Sequence, residues 1–289
     1  MMSASDQVPQ FATWEKAVSW LRDQPDRQTL VLDAYYDDPL IGSAERYWCS
    51  DEWRAVRELL PGVGTALDVG AGRGIASYAL ARDGFTVTAL EPDDSYLVGA
   101  GAIRELAREA ALPIHVVQAF SERLPFADAS FDLVFARAAL HHTRDLAAAC
   151  REFARVLRPG GRMLAIREHV ISRHADKQAF RDAHPMHCLY GGENAFLLVE
   201  YLSALEQAGL HLQRVLGPFE SPINFSPYTL DGLQREIAQH AGRLLPGATG
   251  MLSRILAVPQ MWKLARRVLA VFDNRPGRLC SFVAMKAGR

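Results

Sequence analysis

Three glycines at alternate positions, Gly70, Gly72 and Gly74, follow a short apolar run and precede a helical pattern. Glycine adopts positive φ and has no Cβ, so such a turn lets a ligand lie across the carboxyl end of a strand. The free N–H groups at the start of the next helix then point at that ligand. The turn therefore predicts a ligand cradle. It is not the dinucleotide fingerprint, which needs a glycine where Ile75 stands.

A carboxylate ends the next predicted strand. Residues 85–90 are rich in strand-forming types and are followed by Glu91, which Pro92 restricts to an extended conformation. In a doubly wound sheet this carboxylate lies beside the glycine turn and can accept hydrogen bonds from both hydroxyls of a ribose. An ordinary surface acid is the alternative, and the adjacent glycine turn makes it the weaker one.

Two later runs extend the pattern. Residues 124–134 read Leu-Pro-Phe-Ala-Asp-Ala-Ser-Phe-Asp-Leu-Val, and residues 155–161 read Arg-Val-Leu-Arg-Pro-Gly-Gly. With the glycine turn and Glu91 in this order, the chain resembles the class I S-adenosylmethionine-dependent methyltransferases, and among them the small-molecule type. The resemblance covers roughly residues 50–170, and outside that span only the general fold is implied.

The resemblance implies S-adenosylmethionine as the cofactor. In the family, an acidic or amide residue in the loop after the third strand often meets the adenine. Phe120 stands at that position here, so either the backbone at Ser121 or the side chain of Glu122 would take over. Backbone carbonyls at the end of the fourth strand would accept from the cofactor's ammonium group. The predicted cofactor-binding residues are Asp68, Gly70, Ala71, Gly72, Gly74, Glu91, Pro92, Phe120, Ser121, Glu122, Ala136 and Arg137.

Histidine is the first candidate for proton transfer. Methyl transfer from a sulfonium is one in-line displacement, so orientation contributes most, but a hydroxyl acceptor would also need a general base. His141 and His142 directly follow the fourth strand, and one of them is predicted to point into the acceptor site. A hydrogen-bonded structural role is the alternative for each.

Aromatic and loop residues are the candidates for contacting the acceptor. Tyr36 and Tyr47 lie in an aromatic-rich N-terminal stretch, where packing between the cap and the sheet is the alternative. His187 and Tyr190 flank a Gly191-Gly192 pair that reads as the hinge of a substrate-covering loop. A tight structural turn explains the two glycines equally well.

No metal site is predicted. His184 and His187 are three apart but straddle Pro185, which spoils a helical ligand pair. The four cysteines are scattered and include no C-x-x-C pair, so neither a zinc site nor a disulfide framework is indicated.

The elements that position these residues form an α/β fold. Together with these elements, the resemblance implies a doubly wound, Rossmann-like sheet of seven strands in the order 3-2-1-4-5-7-6, with strand seven antiparallel. Residues 1–60 are predicted to be an N-terminal helical cap, with one helix from Ala44 to Leu60 capped by Ser43. Residues 61–289 would form the methyltransferase domain, with a helical insertion at 217–278 before the last strand.

The insertion is predicted to be an acceptor-side lid. Its best-defined part, residues 251–272, places Leu252, Ile255, Leu256, Trp262, Leu269 and Phe272 near one apolar face. Pro259 is expected to kink or divide this helix. Packing within the subunit, a homodimer contact and a membrane surface are the three uses left open for the apolar face.

The charge and composition of the chain argue against some classes of partner. The chain has 32 basic and 33 acidic residues and a net charge of −1, so no basic field favours nucleic acid. The residues after strand four are also not the Asn/Asp-Pro-Pro-aromatic run of nucleic-acid methylases. No apolar run of about 18 residues and no signal peptide are visible, so we expect a cytoplasmic protein without stable membrane insertion.

We therefore predict a methyltransferase that acts on oxygen or nitrogen of a small metabolite. Carbon methylation of a quinone or another lipid-like ring is one alternative, because the same signatures serve it. A non-catalytic S-adenosylmethionine-binding partner protein is another. The sequence does not identify the acceptor.

Overall fold

A computed structural model describes residues 9–244 and 247–288. It contains eight strands within these ranges, and their order in the sheet gives the topology. The strands are β1 (Thr65–Val69), β2 (Thr86–Leu90), β3 (Ile114–Val117), β4 (Phe131–Arg137), β5 (Leu157–Ile171), β6 (Phe196–Leu197), β7 (Leu210–Leu216) and β8 (Arg278–Lys286). The main order is β3-β2-β1-β4-β5-β8-β7, and β6 adds a two-residue parallel pairing to β5.

This order confirms the predicted doubly wound topology. The β8 strand runs antiparallel to both of its neighbours, β5 and β7, as expected for the last strand. The β6 pairing was not expected, so the sheet has eight strands rather than seven. All other neighbouring strands pair in parallel, which places the carboxyl ends of β1, β2, β4 and β5 at one edge.

The fifth strand passes through a Pro-Gly-Gly run. Proline and glycine usually interrupt regular structure, but β5 extends from Leu157 to Ile171 across residues 159–161. The pairing with β4 shifts between Phe131 and Leu133, so the proline and glycines form an irregularity within the strand. Gly160 has a φ of 77°, which allows the bulge without ending the strand.

Fourteen α-helices cover the sheet and its edges in the described residues. They are α1 (Trp14–Arg22), α2 (Gln28–Asp33), α3 (Leu40–Trp48), α4 (Asp51–Arg57), α5 (Ile75–Arg82), α6 (Ala100–Ala110), α7 (Leu146–Val156), α8 (Asp176–Ala183), α9 (Pro185–Tyr190), α10 (Leu198–Gln207), α11 (Pro222–Phe225), α12 (Leu230–Leu244), α13 (Thr249–Leu256) and α14 (Pro259–Phe272).

Two apolar clusters fill the faces of the sheet. One includes Phe153 of α7, Tyr201 of α10 and Phe282 of β8. The other joins Trp53 of α4 and Leu80 of α5 to the sheet. These side chains are fully buried, and each contributes on the order of 1.5–3 kcal/mol relative to exposure. Helices on both faces thus hold the carboxyl edge of the sheet in place.

The N-terminal helices differ from the prediction. The expected single helix over residues 44–60 is two helices, α3 and α4, and Ser43 is inside α3 instead of capping it. Its hydroxyl donates to the carbonyl of Asp37, whereas Ser50 provides the N-cap of α4 by accepting from the N–H of Trp53 at 3.0 Å. A favourable cap inside the run therefore decides where the helix breaks. The boundary of the cap domain at residue 60 stays a prediction.

The insertion before β8 forms four helices, α11 to α14. The sequence predicted that Pro259 would either kink or divide the predicted helix. Pro259 begins α14, so the helix is divided. Leu256 and Trp262 are buried in a small cluster with Phe219, Phe225 and Leu233. Ile255 and Phe272 are 36% and 76% exposed, so they do not share that buried face. The role of the insertion as a lid stays a prediction.

Within residues 9–244 and 247–288, no helix combines the length and apolar character that a membrane crossing requires. Residues 1–8, part of the stretch in which no signal peptide was predicted, lie outside the described chain.

Candidate functional site

The glycine turn joins β1 to α5 and has the conformation that its sequence predicts. Gly70, Gly72 and Gly74 all have positive φ, at 64°, 55° and 83°. A Cβ at Gly70 would lie 2.7 Å from Cβ of Ala139, so a side chain there would clash as well as strain the backbone. Gly72 lies below Trp14 of α1, whose ring would be 3.5 Å from a Cβ. The turn therefore presents bare backbone, with Ala139 packed against it at Gly70 and the Trp14 ring at Gly72.

Two carboxylates lie beside this turn. Asp68 in β1 is buried and accepts a hydrogen bond from the Ser77 hydroxyl of α5 at 2.6 Å. Glu91 accepts from the N–H groups of Gly72 and Asp93, at 2.8 and 3.0 Å, and is 5% exposed. Burial raises the pKa of Asp68 to about 7 and the pKa of Glu91 to about 7. The glutamate at the end of β2 thus reaches the turn, as predicted from the sequence.

Arg73 connects the turn to the N-terminal helices. Its guanidinium donates to the carbonyls of Tyr35 and Asp37, at 2.8 and 3.0 Å, and to the carboxylate of Asp38 at 2.7 Å. The residue is 6% exposed, although it stands in the middle of a glycine-rich turn. The long side chain therefore points away from the cradle and ties α5 to the segment after α2.

The loop after β3 places the three adenine candidates differently. Phe120 is 59% exposed and lies beneath the guanidinium of Arg144. The Ser121 hydroxyl donates to Glu122, whose carboxylate accepts from the backbone N–H of Arg144 at 2.7 Å. Glu122 is therefore already committed to the segment before α7, so Phe120 has the more open side chain. Pro92 is exposed next to Glu91.

The end of β4 holds a buried ion pair. Ala136 is fully buried, and the Arg137 guanidinium donates to Glu52 of α4 at 2.7 and 3.1 Å. Arg167 lies 3.4 Å from the same carboxylate. Burial acts against the charge of Arg137, but Glu52 outweighs it and raises its pKa. The side chain of Arg137 is thus held on the α4 side, which leaves its backbone as the part available to a cofactor.

His141 lies in the turn after β4 and is 1% exposed. Its Nδ1 contacts Glu168 of β5 at 2.7 Å, and its Nε2 lies 3.5 Å from Glu193. Glu168 also accepts the backbone N–H groups of Ala139, Leu140 and His141. Burial opposes a charged ring, but Glu168 and then Glu193 raise the pKa of His141 to about 9. A histidine held between two carboxylates is a poor general base.

His142 has a more open position. Its side chain is 45% exposed, and its Nε2 lies 3.7 Å from Glu193. Its Nδ1 lies 3.3 Å from the carbonyl oxygen of Gly192. Burial and the neighbouring His141 lower its pKa, so the ring is neutral and can accept a proton. The geometry therefore distinguishes two histidines that the sequence left equivalent.

The structure does not bring the four predicted acceptor-site residues into one place. Tyr36 accepts a hydrogen bond from Trp14 Nε1 at 3.1 Å, and burial raises its pKa to about 12. Tyr47 is fully buried between Tyr35 and Trp53, so the structure places it in the aromatic core instead of an acceptor pocket. That position corrects the prediction for Tyr47.

His187 and Tyr190 lie on a different depression, which they share with Phe11 of the N-terminal segment. Tyr190 is 43% exposed, and α9 is held to the N-terminal segment by a hydrogen bond from Phe11 N–H to the Leu189 carbonyl. Gly191 and Gly192 both have positive φ and precede Glu193. The loop that was predicted to cover the substrate therefore contacts the N-terminal cap.

Comparison with known proteins gives the family. Residues 67–165 match a family model described as a methyltransferase domain. A demethylmenaquinone methyltransferase from Chlorobaculum tepidum is 30% identical over 178 residues, which cover 61% of this chain and 70% of that protein. The chain belongs to the S-adenosylmethionine-dependent methyltransferases. An uncharacterized methyltransferase from Mycobacterium sp. is 36% identical over 112 residues, and this match spans 39% of the chain and only 42% of the relative's length.

Solved structures agree on the fold. A geranyl diphosphate C-methyltransferase from Streptomyces coelicolor has a TM-score of 0.58 at 17% identity, with 88% of each chain covered. The structure of a putative sarcosine dimethylglycine methyltransferase from Galdieria sulphuraria has a TM-score of 0.53 at 19% identity, covering 98% of this chain and 94% of that one. At such identities the likeness shows the methyltransferase fold alone.

The residues around the turn fit the family's cofactor, S-adenosylmethionine. The positive-φ glycines add no side chain of their own at the end of β1. Each oxygen of Glu91 accepts one backbone N–H, and a carboxylate oxygen can accept more than one hydrogen bond, so both retain capacity for ribose hydroxyls. Family membership and the position of Glu91 support this assignment.

Sequence reasoning missed several residues of the site. Glu168 and Glu193 hold the histidines, and Trp14 covers Gly72. None of them stands in a recognisable motif, since each reaches the site from a distant segment. In the sequence, Glu193 is the one carboxylate at metal-ligand spacing from His184 and His187. The expectation of no metal site rested on His184 and His187, whereas a group that could hold an ion is formed by His141, His169 and Glu193.

Proposed function

We propose that this protein is an enzyme that transfers a methyl group from S-adenosylmethionine to oxygen or nitrogen of a small-molecule acceptor. The observation that carries the proposal is the contact between Glu91 and the N–H of Gly72, which joins the predicted ribose acceptor to the glycine turn. When bound, S-adenosylmethionine supplies a methyl group on a sulfonium. The chain's own part is to hold the two reactants in line and to exclude water.

For a hydroxyl acceptor, we propose that His142 takes the proton. When bound, the cofactor would supply the methyl group from its sulfonium, and the imidazole of His142 would accept the proton that the acceptor oxygen loses on methylation. His142 lies at the carboxyl edge of the sheet and is 45% exposed, whereas His141 is enclosed. We propose that Tyr36, which accepts a hydrogen bond from Trp14 on the cap side, lines the acceptor space.

A second acceptor class has a specific observation in its favour. The relative from Chlorobaculum tepidum is named a demethylmenaquinone methyltransferase, and the chain covers 70% of it. We therefore keep carbon methylation of a quinone-like ring as the alternative. The remaining alternative is a protein that binds the cofactor and catalyses no methyl transfer.

The test is a screen with methyl-labelled S-adenosylmethionine against phenols and alcohols, amines, and quinols. Label on oxygen or nitrogen supports the first proposal, and label on a ring carbon supports the alternative. Cofactor binding by calorimetry with no turnover on any acceptor would favour the non-catalytic protein. With a hydroxyl acceptor, His142→Gln should lower kcat at least tenfold and leave cofactor affinity within about twofold.

We also propose three features of the whole protein: a cytoplasmic location, a lid formed by residues 217–278, and a homodimer. For the lid, replacing residues 249–272 by a Gly/Ser linker should keep cofactor affinity within a few-fold and abolish acceptor turnover. Full turnover by that variant would contradict the lid.

A further inference from the structure

A cluster of histidine and glutamate side chains fills the space where β4 and β5 end. One ligand atom from each of His141, His169 and Glu193 lies within 4.8 Å of the other two. His141 follows β4, His169 is in β5, and Glu193 lies in the loop before β6. Three separate segments of the chain thus bring together two imidazoles and one carboxylate.

Both imidazoles are oriented by their Nδ1 atoms. The ring of His141 donates from Nδ1 to Glu168 at 2.7 Å, and the ring of His169 donates from Nδ1 to the carbonyl of Gly277 at 2.9 Å. These two bonds keep a proton on Nδ1 of each ring. Nε2 of His169 carries a lone pair, and Nε2 of His141, which is protonated between the two carboxylates in the metal-free protein, releases its proton when it binds a metal ion. A histidine that binds a metal through one ring nitrogen usually donates a hydrogen bond from the other one.

Glu193 is surrounded by histidines. Its carboxylate lies 3.5 Å from His141, 3.7 Å from His142 and 3.8 Å from His184, and it is 13% exposed. Among the described residues, no arginine or lysine forms an ion pair with it. Glu168, the partner of His141, is fully buried, so two carboxylates share this space. A divalent cation would balance both negative charges.

A simple ion pair between His141 and Glu193 does not account for His169. In the described part of the chain, His169 forms no ion pair, and its Nε2 has no hydrogen-bond partner. Its ring nevertheless stands edge-on to His141, with the ring centroids 4.7 Å apart. A third ligand-type side chain, oriented by a backbone carbonyl and turned towards the other two, is what a metal centre requires.

We propose that Nε2 of His141, Nε2 of His169 and the carboxylate of Glu193 bind a divalent transition-metal ion. Two imidazoles and one carboxylate suit Zn²⁺ or Fe²⁺ rather than Mg²⁺ or Ca²⁺, which prefer oxygen ligands. In a tetrahedral zinc site, bonds of about 2.0–2.1 Å place the ligand atoms ~3.3 Å apart. Binding therefore draws the three groups together and leaves one coordination position open.

The test measures metal binding directly and does not depend on methyl transfer. The full chain is dialysed against a chelator and then titrated with Zn²⁺ by calorimetry, with metal content measured after desalting. The wild type should retain one equivalent, and both Glu193→Gln and His169→Gln should weaken binding at least about tenfold. Zn²⁺ should also raise the Tm of the wild type and have little effect on the Tm of either variant.

Glu236→Gln is the matched control, because Glu236 lies 3.4 Å from His240 in an exposed pair far from this cluster in sequence. It should bind Zn²⁺ as the wild type does. A wild type that retains no zinc overturns the proposal. So does a Glu193→Gln or His169→Gln variant that folds and binds as tightly as the control. If neither variant folds, the stoichiometry and Tm shift of the wild type decide. In every case the proposed methyl transfer is judged separately by the labelled screen.

Discussion

Glu91 accepts two backbone N–H groups in a site that is almost closed to water. The same carboxylate is proposed to bind the ribose of the cofactor. Loss of a charge-assisted hydrogen bond costs about 1.5–3 kcal/mol, so Glu91→Ala should weaken cofactor binding roughly 10–150-fold. Calorimetric titration with S-adenosylmethionine measures this, with the exposed Glu105→Ala as control. Equal affinities in the two variants would remove Glu91 from the site.

The raised pKa of Glu91 gives a pH prediction for the cofactor-free protein. Burial raises the folded-state pKa from 4.5 to about 7, so the folded protein holds a proton that the unfolded chain releases. The stabilising contribution of Glu91 is therefore complete below pH 4.5 and is lost as the pH rises to about 7. The free energy of unfolding falls by at most about 3 kcal/mol over this pH range.

Urea unfolding at pH 5 and pH 8 tests this in the wild type and in Glu91→Gln. Other groups titrate in this range too, so the quantity compared is the difference between the two proteins. Relative to the wild type, Glu91→Gln should be more stable at pH 8 than at pH 5. A difference that does not change with pH would show that Glu91 ionises normally.

At the scale of the elements, the sequence predicted features that depend on residues close together in the chain. The glycine turn and Glu91 are close in the chain, and the conformation of the turn follows from residue types alone. The contacts of Glu52 with Arg137 and of His142 with Gly192 join residues 85 and 50 positions apart, and no local pattern encodes them. The helix break at Ser50 was missed for another reason. Ser43, the predicted cap, lies inside α3 and donates to the carbonyl of Asp37, whereas Ser50 accepts from the N–H of Trp53 and caps α4.

The N-terminal helices and the nucleotide-binding turn are coupled through Arg73. Arg73→Ala would leave the carbonyls of Tyr35 and Asp37 without their donor and remove the pairing with Asp38. We expect a loss of about 2–3 kcal/mol in the free energy of unfolding. Arg108→Ala, which breaks an exposed pair with Glu105, should leave the free energy of unfolding close to that of the wild type. Similar losses in both, measured by urea unfolding, would mean that Arg73 does not couple the cap to the turn.

At the scale of the whole molecule, α13 and α14 present a large apolar surface. Its exposed side chains include Met251, Val258, Met261, Leu264, Val268, Val271 and Phe272. Exposed apolar side chains in this number on two neighbouring helices are typical of an interaction surface. The proposed homodimer would use it, because two copies of a helix face can pack about a two-fold axis.

Val271→Glu tests the homodimer. Light scattering after size exclusion should give a dimer for the wild type and half that mass for Val271→Glu. Val199→Glu changes a valine of α10 that is also exposed, at 62%, and should remain a dimer. A monomeric wild type rules the homodimer out. Sedimentation of the wild type with anionic vesicles would assign the surface to lipid instead.

The antiparallel strand β8 lies between β5 and β7, and this position affects how the protein is made. The contact between Arg167 and Ser281 spans 114 positions of sequence, and β5 has no other long neighbour on that side. A chain still emerging from the ribosome therefore carries β5 with an open hydrogen-bonding edge until residues 278–286 have been synthesised. Such edges pair readily with other chains. Expression yield should therefore depend on chaperone supply and growth temperature more than the stability of the finished fold would suggest.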